Sequence, residues 1–399
     1  MLTKEEGPNE FGNKLYTFNS TYTLELPQHY TVLEVIGRGA YGLVCSAVNS
    51  TTDEYVAIKK IKNVFESAVE CRRILREVKI MTFLSHPNIL GVKDIFTPAR
   101  PRAFTDLYVV SELMKQDLQS LLRAPRTRLA AGHCQYLTLQ LLFALRYLHS
   151  AGVLHRDLKP SNLLVDADCN LRLCDFGLAR EVGEEMTAYV VTRWYRPPEL
   201  LLGCQEYNYG VDLWSVGCLA VEMITGAPLF RGNDYIHQLT LIAKLLGPPD
   251  FARELPNTSS GAREFVTGLS KQKRHTLQEV LPELRCRFFD TVFFDSFEND
   301  DEMADKQNAL SPNEYYELFD DFVMGLLKYK PSARLTASDA IMHPWLSDIR
   351  DERPEWEGFK TTVQFKPNYD SYGQLSIEQL RNLFIDEIKK FHNLNKNNN

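Results

Sequence analysis

The apolar residues change period once along this chain, and that change limits the fold more than any other feature of its 399 residues. From Tyr30 to about Asp106, short β-branched runs alternate with turn-formers, so TVLEVIG, YGLVCSAVN and YVAIKKI read as strands. One helix interrupts them near Ala68–Leu84. From about Asp117 the period becomes helical: in CQYLTLQLLFALRYLHS, residues Leu137, Leu141, Leu145 and Leu148 recur along one face. VDLWSVGCLAVEMITG is apolar nearly all round, which predicts a buried central helix. The expectation is an α+β protein with a small β-rich lobe over 30–112 and a larger helical lobe over 117–346. Residues 1–29 are polar and mixed, and read as an arm docking on the body. Residues 347–399 read as an extension packing back on the domain, with NLNKNNN as a disordered, low-complexity tail. Residues 286–313 carry aromatics followed by an acidic run, and read as an exposed insertion.

Composition narrows the function classes. At 44% hydrophobic residues the chain can bury a large core, and its net charge of −7 argues against nonspecific nucleic-acid binding. Its eight cysteines include no C-x-x-C pair, which fits reduced thiols in a cytoplasmic protein better than disulfide staples. MLTKEEGPNEF has acids where a signal peptide needs an apolar run. Asp212 and Glu222 interrupt the most apolar segment, so no membrane span is expected. No clear basic cluster argues for nuclear entry, which stays open.

Gly37-Arg38-Gly39-Ala40-Tyr41-Gly42 fits G-x-G-x-x-G, a weak signal alone. It also fits a dinucleotide-binding turn, but that turn must open into a helix. Here LVCSAVN follows, which is strand-like, and a strand–glycine loop–strand hairpin suits cover of a phosphate chain. Further on, Ala57 and Lys59 of VAIK share one face of a strand. The small alanine leaves room for a flat ligand, and the lysine can reach its phosphates. A buried ammonium needs a partner, and Glu77 in LREVKIM is the candidate. Read alone, Lys59 is equally a solvated strand lysine.

HRDLKPSN, from His155 to Asn162, and CDFG, from Cys174 to Gly177, decide between these readings. Asp157 can accept a hydroxyl proton, and Lys159 can neutralise charge on a transferred group. Asn162 and Asp175 are oxygen donors from two segments, which suits Mg²⁺ bridging phosphates. With these motifs in this order, residues 30–346 resemble a eukaryotic protein kinase. The resemblance implies a bilobal fold with ATP held between the lobes. It places Ile36, Val44, Ser111, Glu112, Met114, Asp117 and Leu164 beside the glycine loop, Ala57, Lys59 and Asp175 in nucleotide binding. Ser111 stands at the gatekeeper position, with Glu112, Leu113 and Met114 as the hinge. The family pattern also implies that Glu199 pairs with Arg334 and that Asp212 anchors the catalytic loop. Cys174, beside Asp175, is a candidate for covalent ligands.

Thr187 and Tyr189 lie between DFG and RWYRPPE, where kinases place regulatory phosphosites. Thr-x-Tyr there resembles the mitogen-activated protein kinases. A phosphate at each site can order a loop against guanidinium groups. The resemblance assigns Arg73, Arg76, Arg156 and Arg180 to phospho-Thr187, and Arg193 and Arg196 to phospho-Tyr189. It also makes Arg196 the residue that favours proline after the target Ser or Thr. Ser/Thr-Pro substrates, an upstream dual-specificity kinase, phosphatases and docking peptides are the implied partners of a monomer. The middle residue Ala188 departs from the familiar Glu, Pro, Gly or Asp, and the acids after the domain are interleaved with Arg350 and Arg353. Alternatives are a cyclin-dependent type, which shares WYRPPELLLG, and a kinase-fold scaffold without activity.

Overall fold

The computed structural model describes residues 2–19, 22–39, 42–98, 104–124, 128–181, 193–204, 208–268, 274–285, 311–351, 363–365 and 375–397. The chain divides into two compact units: residues 1–115 with 175–177 and 366–399, and residues 116–174 with 178–365.

The first unit is built on a five-stranded antiparallel sheet in the order β4-β5-β6-β8-β7. The strands are β4 (Tyr30–Gly39), β5 (Gly42–Asn49), β6 (Glu54–Ile61), β7 (Val92–Phe96) and β8 (Leu107–Glu112). Alternation sends Val56 and Ile58 to one face of β6, and Ala57 and Lys59 to the other. The face of Val56 and Ile58 packs with Cys45, Ala47, Tyr108 and Val110.

That face is covered by a second sheet, β1 (Leu2–Glu6), β2 (Asn13–Phe18) and β3 (Tyr22–Pro27), in sequence order. The expected amino-terminal arm is therefore a sheet. Its alternating residues Tyr16, Phe18, Leu24 and Leu26 are all at most 1% exposed and belong to the same core. Tyr16 Oη donates to the Tyr30 carbonyl at 3.1 Å, and the Glu25 N–H donates to Tyr108 Oη at 3.1 Å.

The other face packs on helix α1 (Ala68–Phe83), capped by Ser67, whose hydroxyl accepts from the Glu70 N–H. A carboxy-terminal helix, Ile377–Asn397, joins this cluster through the buried Leu380 and Phe384. It starts at a reciprocal cap: the Ser376 N–H donates to Gln379 Oε1 at 2.8 Å, and the Gln379 N–H donates to Ser376 Oγ at 3.3 Å. The tail read as disordered is thus helical as far as Asn397. Its apolar stripe accounts for this, because Leu380, Phe384 and Phe391 lie on one face and are buried. Arg381 crosses over the Phe65 and Phe104 rings and donates to the Phe104 carbonyl. Thr82 Oγ1 donates to Glu387 Oε1 at 2.9 Å, and His392 Nε2 meets Asp94 Oδ1 at 2.9 Å.

The second unit is helical around α5 (Gly210–Thr225), in which every residue is buried. It packs on α3 (Ala131–Ser150) and on helix Pro312–Leu326. Short strands β9 (Gln116–Asp117), β11 (Leu163–Val165) and β12 (Leu171–Leu173) form one small sheet, while β10 (Val153–Leu154) pairs with β13 (Arg180–Glu181). Helices α2 (Leu118–Arg123), α4 (Pro198–Leu201) and α6 (Tyr235–Leu246) complete the parts used below. Among the described residues, no helix is long and apolar enough to cross a membrane. Of the expected insertion, residues 286–310 lie outside the described residues, and helix Pro312–Leu326 begins at its end on the Ser311 cap.

Replacing Phe384 by Ala should cost the first unit about 3–5 kcal/mol. Leu394→Ala, on the same helix but 52% exposed, should change stability by less than about 0.5 kcal/mol. Urea unfolding, read through hydrogen exchange in β6 and α1, measures both.

Candidate active site

In the first unit, Lys59 Nζ lies 2.8 Å from Glu77 Oε1, so strand β6 and helix α1 are joined by an ion pair. Glu77 is buried on α1, where only a cation makes its charge tolerable. Lys59 sits opposite Val44 on β5 and Val109 on β8, and Ala57 sits opposite Ser46 and Ser111. Residues directly opposite one another share a face. That face therefore combines three small side chains, Ser46, Ala57 and Ser111, with the Lys59 ammonium. The Ser111 hydroxyl donates to the Glu112 carbonyl at 3.3 Å.

The hairpin of β4 and β5 closes with Gly39 opposite Gly42, and Ala40 and Tyr41 lie outside the described residues. Gly42 has a reason of its own. A Cβ there would stand 1.7 Å from the Lys60 carbonyl oxygen on β6, so the sheet itself requires glycine. At Gly37 a Cβ would meet only Val44, at 3.4 Å. Ile36 is 46% exposed, and Arg38 stacks over the Tyr22 ring at 5.0 Å.

Asp175 and Gly177 belong to this unit. Asp175 has φ +68°, a strained value for a residue with a side chain. The Gly177 carbonyl accepts from Arg73 Nε at 2.9 Å. A Cβ on Gly177 would come within 3.4 Å of Asp175 Oδ1, Arg73 and Glu77 Oε2, so this glycine lets the DFG turn lie against α1. Arg76 follows Arg73 by three positions on the same helix.

In the second unit, the loop His155–Asn162 folds around two carboxylates. Asp157 Oδ2 accepts from Lys159 Nζ at 2.6 Å and from Asn162 Nδ2 at 3.2 Å. Asn162 Nδ2 also donates to the Asp157 carbonyl at 2.8 Å. Both side-chain contacts fall on Oδ2, which leaves Asp157 Oδ1 and Asn162 Oδ1 as unshared acceptors among the described residues. The His155 N–H and Arg156 N–H donate to Asp212 Oδ2 and Oδ1 at 3.0 and 2.8 Å, and His149 Nε2 meets Oδ2 at 2.9 Å. Burial pushes the Asp212 carboxyl up, but the His149 bond and charge, His155 and the Arg156 N–H outweigh it and hold it below the usual range. Arg156 is fixed at φ +68° by these bonds. His155 Nδ1 accepts from the Asp157 N–H at 3.3 Å, so its Nε2 carries the proton toward the Cys174 carbonyl at 3.1 Å.

RWYRPPE is tied to α5 and α6. Tyr195 Oη donates to Glu222 Oε2 at 2.7 Å, and Ser215 Oγ donates to the Tyr195 carbonyl at 2.8 Å. Trp194 Nε1 donates to the Gly232 carbonyl at 3.0 Å. Glu199 and Arg334 form a bidentate pair with both bonds at 2.7 Å, fully buried. The Arg193 guanidinium lies 5.0 Å from the Tyr235 ring centroid, and Arg196 donates to Tyr235 Oη at 3.2 Å.

Other residues singled out in the sequence are placed as follows. Asp117 caps α2, its two oxygens accepting from the N–H and hydroxyl of Ser120 at 2.8 Å each. Leu164 pairs with Asp117 across β11 and β9. Arg180 pairs through its backbone with Leu154, and Thr187, Tyr189 and Arg353 lie outside the described residues. Sequence reading missed His149, Tyr235 and Glu222. The first carries a weak signal, a polar residue closing the apolar face of α3 one position after Leu148.

Burial pushes the Glu222 carboxyl up to about 7, against the lowering effect of its Tyr195 bond and Arg123. An acid whose folded pKa exceeds its unfolded value of about 4.3 stabilises the fold fully below that value. The contribution is lost as pH rises through about 7. Glu222→Gln keeps an acceptor for Tyr195, so its stability should gain on the wild type by up to about 3 kcal/mol between about pH 5 and about pH 8. Denaturant unfolding at three pH values tests this, and a difference independent of pH overturns it.

Residues 30–346 match the family model described as the protein kinase domain. The chain is 40% identical to Mitogen-activated protein kinase 6 of Arabidopsis thaliana, over 90% of this chain and 82% of the relative. It is 42% identical to Mitogen-activated protein kinase homolog NTF6 of Nicotiana tabacum, over 90% and 88%. For Mitogen-activated protein kinase 4 of Arabidopsis thaliana the identity is 41%, over 90% and 87%. With the HRD loop, the DFG turn and the Lys59–Glu77 pair folded as described, this chain belongs to the mitogen-activated protein kinase family and is an ATP-dependent protein serine/threonine kinase.

Proposed function

We propose that the chain transfers the γ-phosphoryl group of ATP to Ser/Thr-Pro sites and is switched on by phosphorylation of both Thr187 and Tyr189. The observation that carries the chemical part is the Asp157 carboxylate. Its Oδ2 is held by Lys159 and Asn162, and its Oδ1 stays open to accept the substrate hydroxyl. That hydroxyl gives its proton to Oδ1 as its oxygen bonds to phosphorus and the bond to the ADP oxygen breaks. Lys159, 2.6 Å from Oδ2, offsets the negative charge of the reacting groups. Lys59, steadied by Glu77, holds nucleotide phosphates. The Asn162 and Asp175 oxygens suit a hard divalent cation, and we assign them to Mg²⁺. Mg²⁺ would supply charge neutralisation at the phosphate oxygens.

The switch rests on the arginines. A phosphate adds nearly two negative charges and three acceptor oxygens. Arg193 and Arg196 both reach Tyr235, one over its ring and one at its hydroxyl, and we assign this pair to the phosphate on Tyr189. Arg73 and Arg76 on α1 are the groups we assign to phospho-Thr187, together with Arg156 and Arg180. Upstream kinases, phosphatases and protein substrates are the partners that mitogen-activated protein kinases meet in general. A dual-specificity activator is the finer reading offered here.

The test uses full-length chain confirmed by mass spectrometry to carry both phosphates. It should phosphorylate a Ser-Pro peptide with Mg-ATP much faster than its Ser-Ala twin, and phosphatase treatment should remove most of that activity. Equal rates on the two peptides overturn proline direction, and unchanged activity after dephosphorylation overturns the switch. Asp157→Asn should lower kcat by about a hundred- to ten-thousandfold with the fold intact. Ser111→Met should weaken inhibitors whose bulky group enters beside the small Ala57–Ser111 patch, while leaving Ser-Pro selectivity unchanged.

A further inference from the structure

The tip of the β4–β5 hairpin is gripped from the amino-terminal sheet. Across the five-stranded sheet, Arg38 pairs with Leu43, and Leu43 with Lys60. Gly37 pairs with Val44, and Val44 with Lys59. Residues directly opposite share a face, so the Arg38 side chain stands on the face away from Lys59. Leu43 marks that face as the one closed by Tyr16, Phe18, Leu24 and Leu26. There the Arg38 guanidinium lies 5.0 Å from the Tyr22 ring centroid. Lys62 Nζ, just past the end of β6, lies 4.8 Å from the same centroid. A cation within about 6 Å of a ring centroid is attracted by the π face. Neither Arg38 nor Lys62 has a carboxylate partner among the described residues, so the ring is the contact that holds each. The next residue of β3 is held as well. The Thr23 carbonyl accepts from Lys60 Nζ at 2.9 Å, and Lys60 also pairs with Asp106 at 2.9 Å.

We propose that Tyr22 is a positioning residue for nucleotide binding, tethering the glycine hairpin through Arg38 so that it stands ready to cover the phosphates of ATP. The inference rests on the reading of that hairpin as phosphate cover. Glycines such as Gly37 and Gly39 lose more conformational freedom on ordering than any other residue. A contact that restricts the hairpin beforehand lowers the cost of closing it on a ligand. Arg38 serves this way without touching the nucleotide, because its side chain lies on the covered face. Tyr22 suits the fixed end of the tether. It is half-buried against the core of the two sheets, and Lys60 and Lys62 hold it and its neighbour to β6. The tether thus runs from the strand that bears Lys59 to the tip of the hairpin. It depends on neither proline direction nor the phosphorylation switch.

The probe is mant-ATP, a fluorescent ATP, titrated with Mg²⁺ into the full chain, with hydrogen exchange read over Gly37–Val44. Tyr22→Leu keeps an apolar side chain on the core and removes the ring. It should weaken binding about two- to fivefold, the size of an exposed cation–π contact, and speed exchange of the free hairpin by a similar factor. Arg38→Gln, which breaks the tether from its other end, should do the same, and the double variant should add little to either. Tyr22→Phe keeps the ring and should restore both readouts. A Tyr22→Phe variant as weak as Tyr22→Leu overturns the ring contact. Exchange unchanged in both single variants overturns the tether, and faster exchange with unchanged affinity overturns the positioning role. Phosphate cover is tested apart from these, because bound mant-ATP should slow exchange over Gly37–Val44 in the unaltered chain. No slowing there overturns that reading and the effect on affinity with it, while exchange of the free hairpin still decides the tether.

Discussion

The loop that carries Asp157 depends on the Asp212 carboxylate, which is wholly buried on α5. An ionised carboxylate in such a place is stable only when its oxygens are bonded. Asp212 has three such partners, the His155 and Arg156 N–H groups and His149. Hydrogen bonds to a charged group contribute about 1.5–3 kcal/mol each. The φ of +68° at Arg156 costs about 1–3 kcal/mol, so the bonds outweigh the strain they impose. The turn at His155–Arg156 is thereby held by bonds separate from those that Lys159 and Asn162 make to Asp157. Losing the carboxylate would leave two buried N–H groups unpaired as well as releasing the turn.

A second buried charge organises the region around RWYRPPE. Arg334 reaches Glu199 with two nitrogens, and the Lys328, Gly210 and Tyr329 carbonyls accept its remaining bonds. Trp214 lies under its guanidinium at 5.1 Å. Such a pair is weak evidence for net stability, since an apolar replacement of the same shape can do as well. Its consequence is geometric. One guanidinium fixes the first turn of α4, the start of α5 and the 328–334 loop to one another, and the fork of Arg allows no sliding. Tyr195 and Trp194 then hang from α5 and from the Gly232 carbonyl, so this stretch of the segment is held on both sides.

The parts of this fold that were legible in the sequence are those where one residue type has few physical alternatives. The strand-to-helix switch near 108–117 fixed the α+β class, because a strand period and a helix period bury different sets of residues. Lys59 and Glu77 were readable as a pair because neither tolerates burial alone. Asp157, Lys159 and Asn162 lie within six residues, so local geometry brings them together. What escaped depends on distance or on weak pattern. Glu222 has no signal beyond being an acid on an apolar helix, and its partner Tyr195 is 27 residues away. The alternation of Tyr16, Phe18, Leu24 and Leu26 is spread over two short strands among polar residues, which made a buried sheet look like an arm. The packing back of the extension was read, but its disordered tail was read from the asparagines of NLNKNNN alone, whereas the helix that buries Leu380, Phe384 and Phe391 runs on to Asn397.

Those two ends bear on where the first unit's core begins and stops. The family match covers 30–346, yet this unit buries residues from both sides of it. One face of the five-stranded sheet, with Cys45, Ala47, Ile58, Tyr108 and Val110, is closed by Tyr16, Phe18, Leu24 and Leu26. On the opposite face, α1 packs against Leu380 and Phe384. Burying one such side chain contributes about 1.5–3 kcal/mol, and the net stability of a domain is only about 5–15 kcal/mol. A chain cut to the match would expose enough apolar surface on both faces to consume that margin. The helix that carries Glu77 is thus held from outside the matched region, through Leu380, Phe384 and the Thr82–Glu387 bond. The Lys59–Glu77 pair therefore depends on the end of the chain as well as on the two elements that bear it.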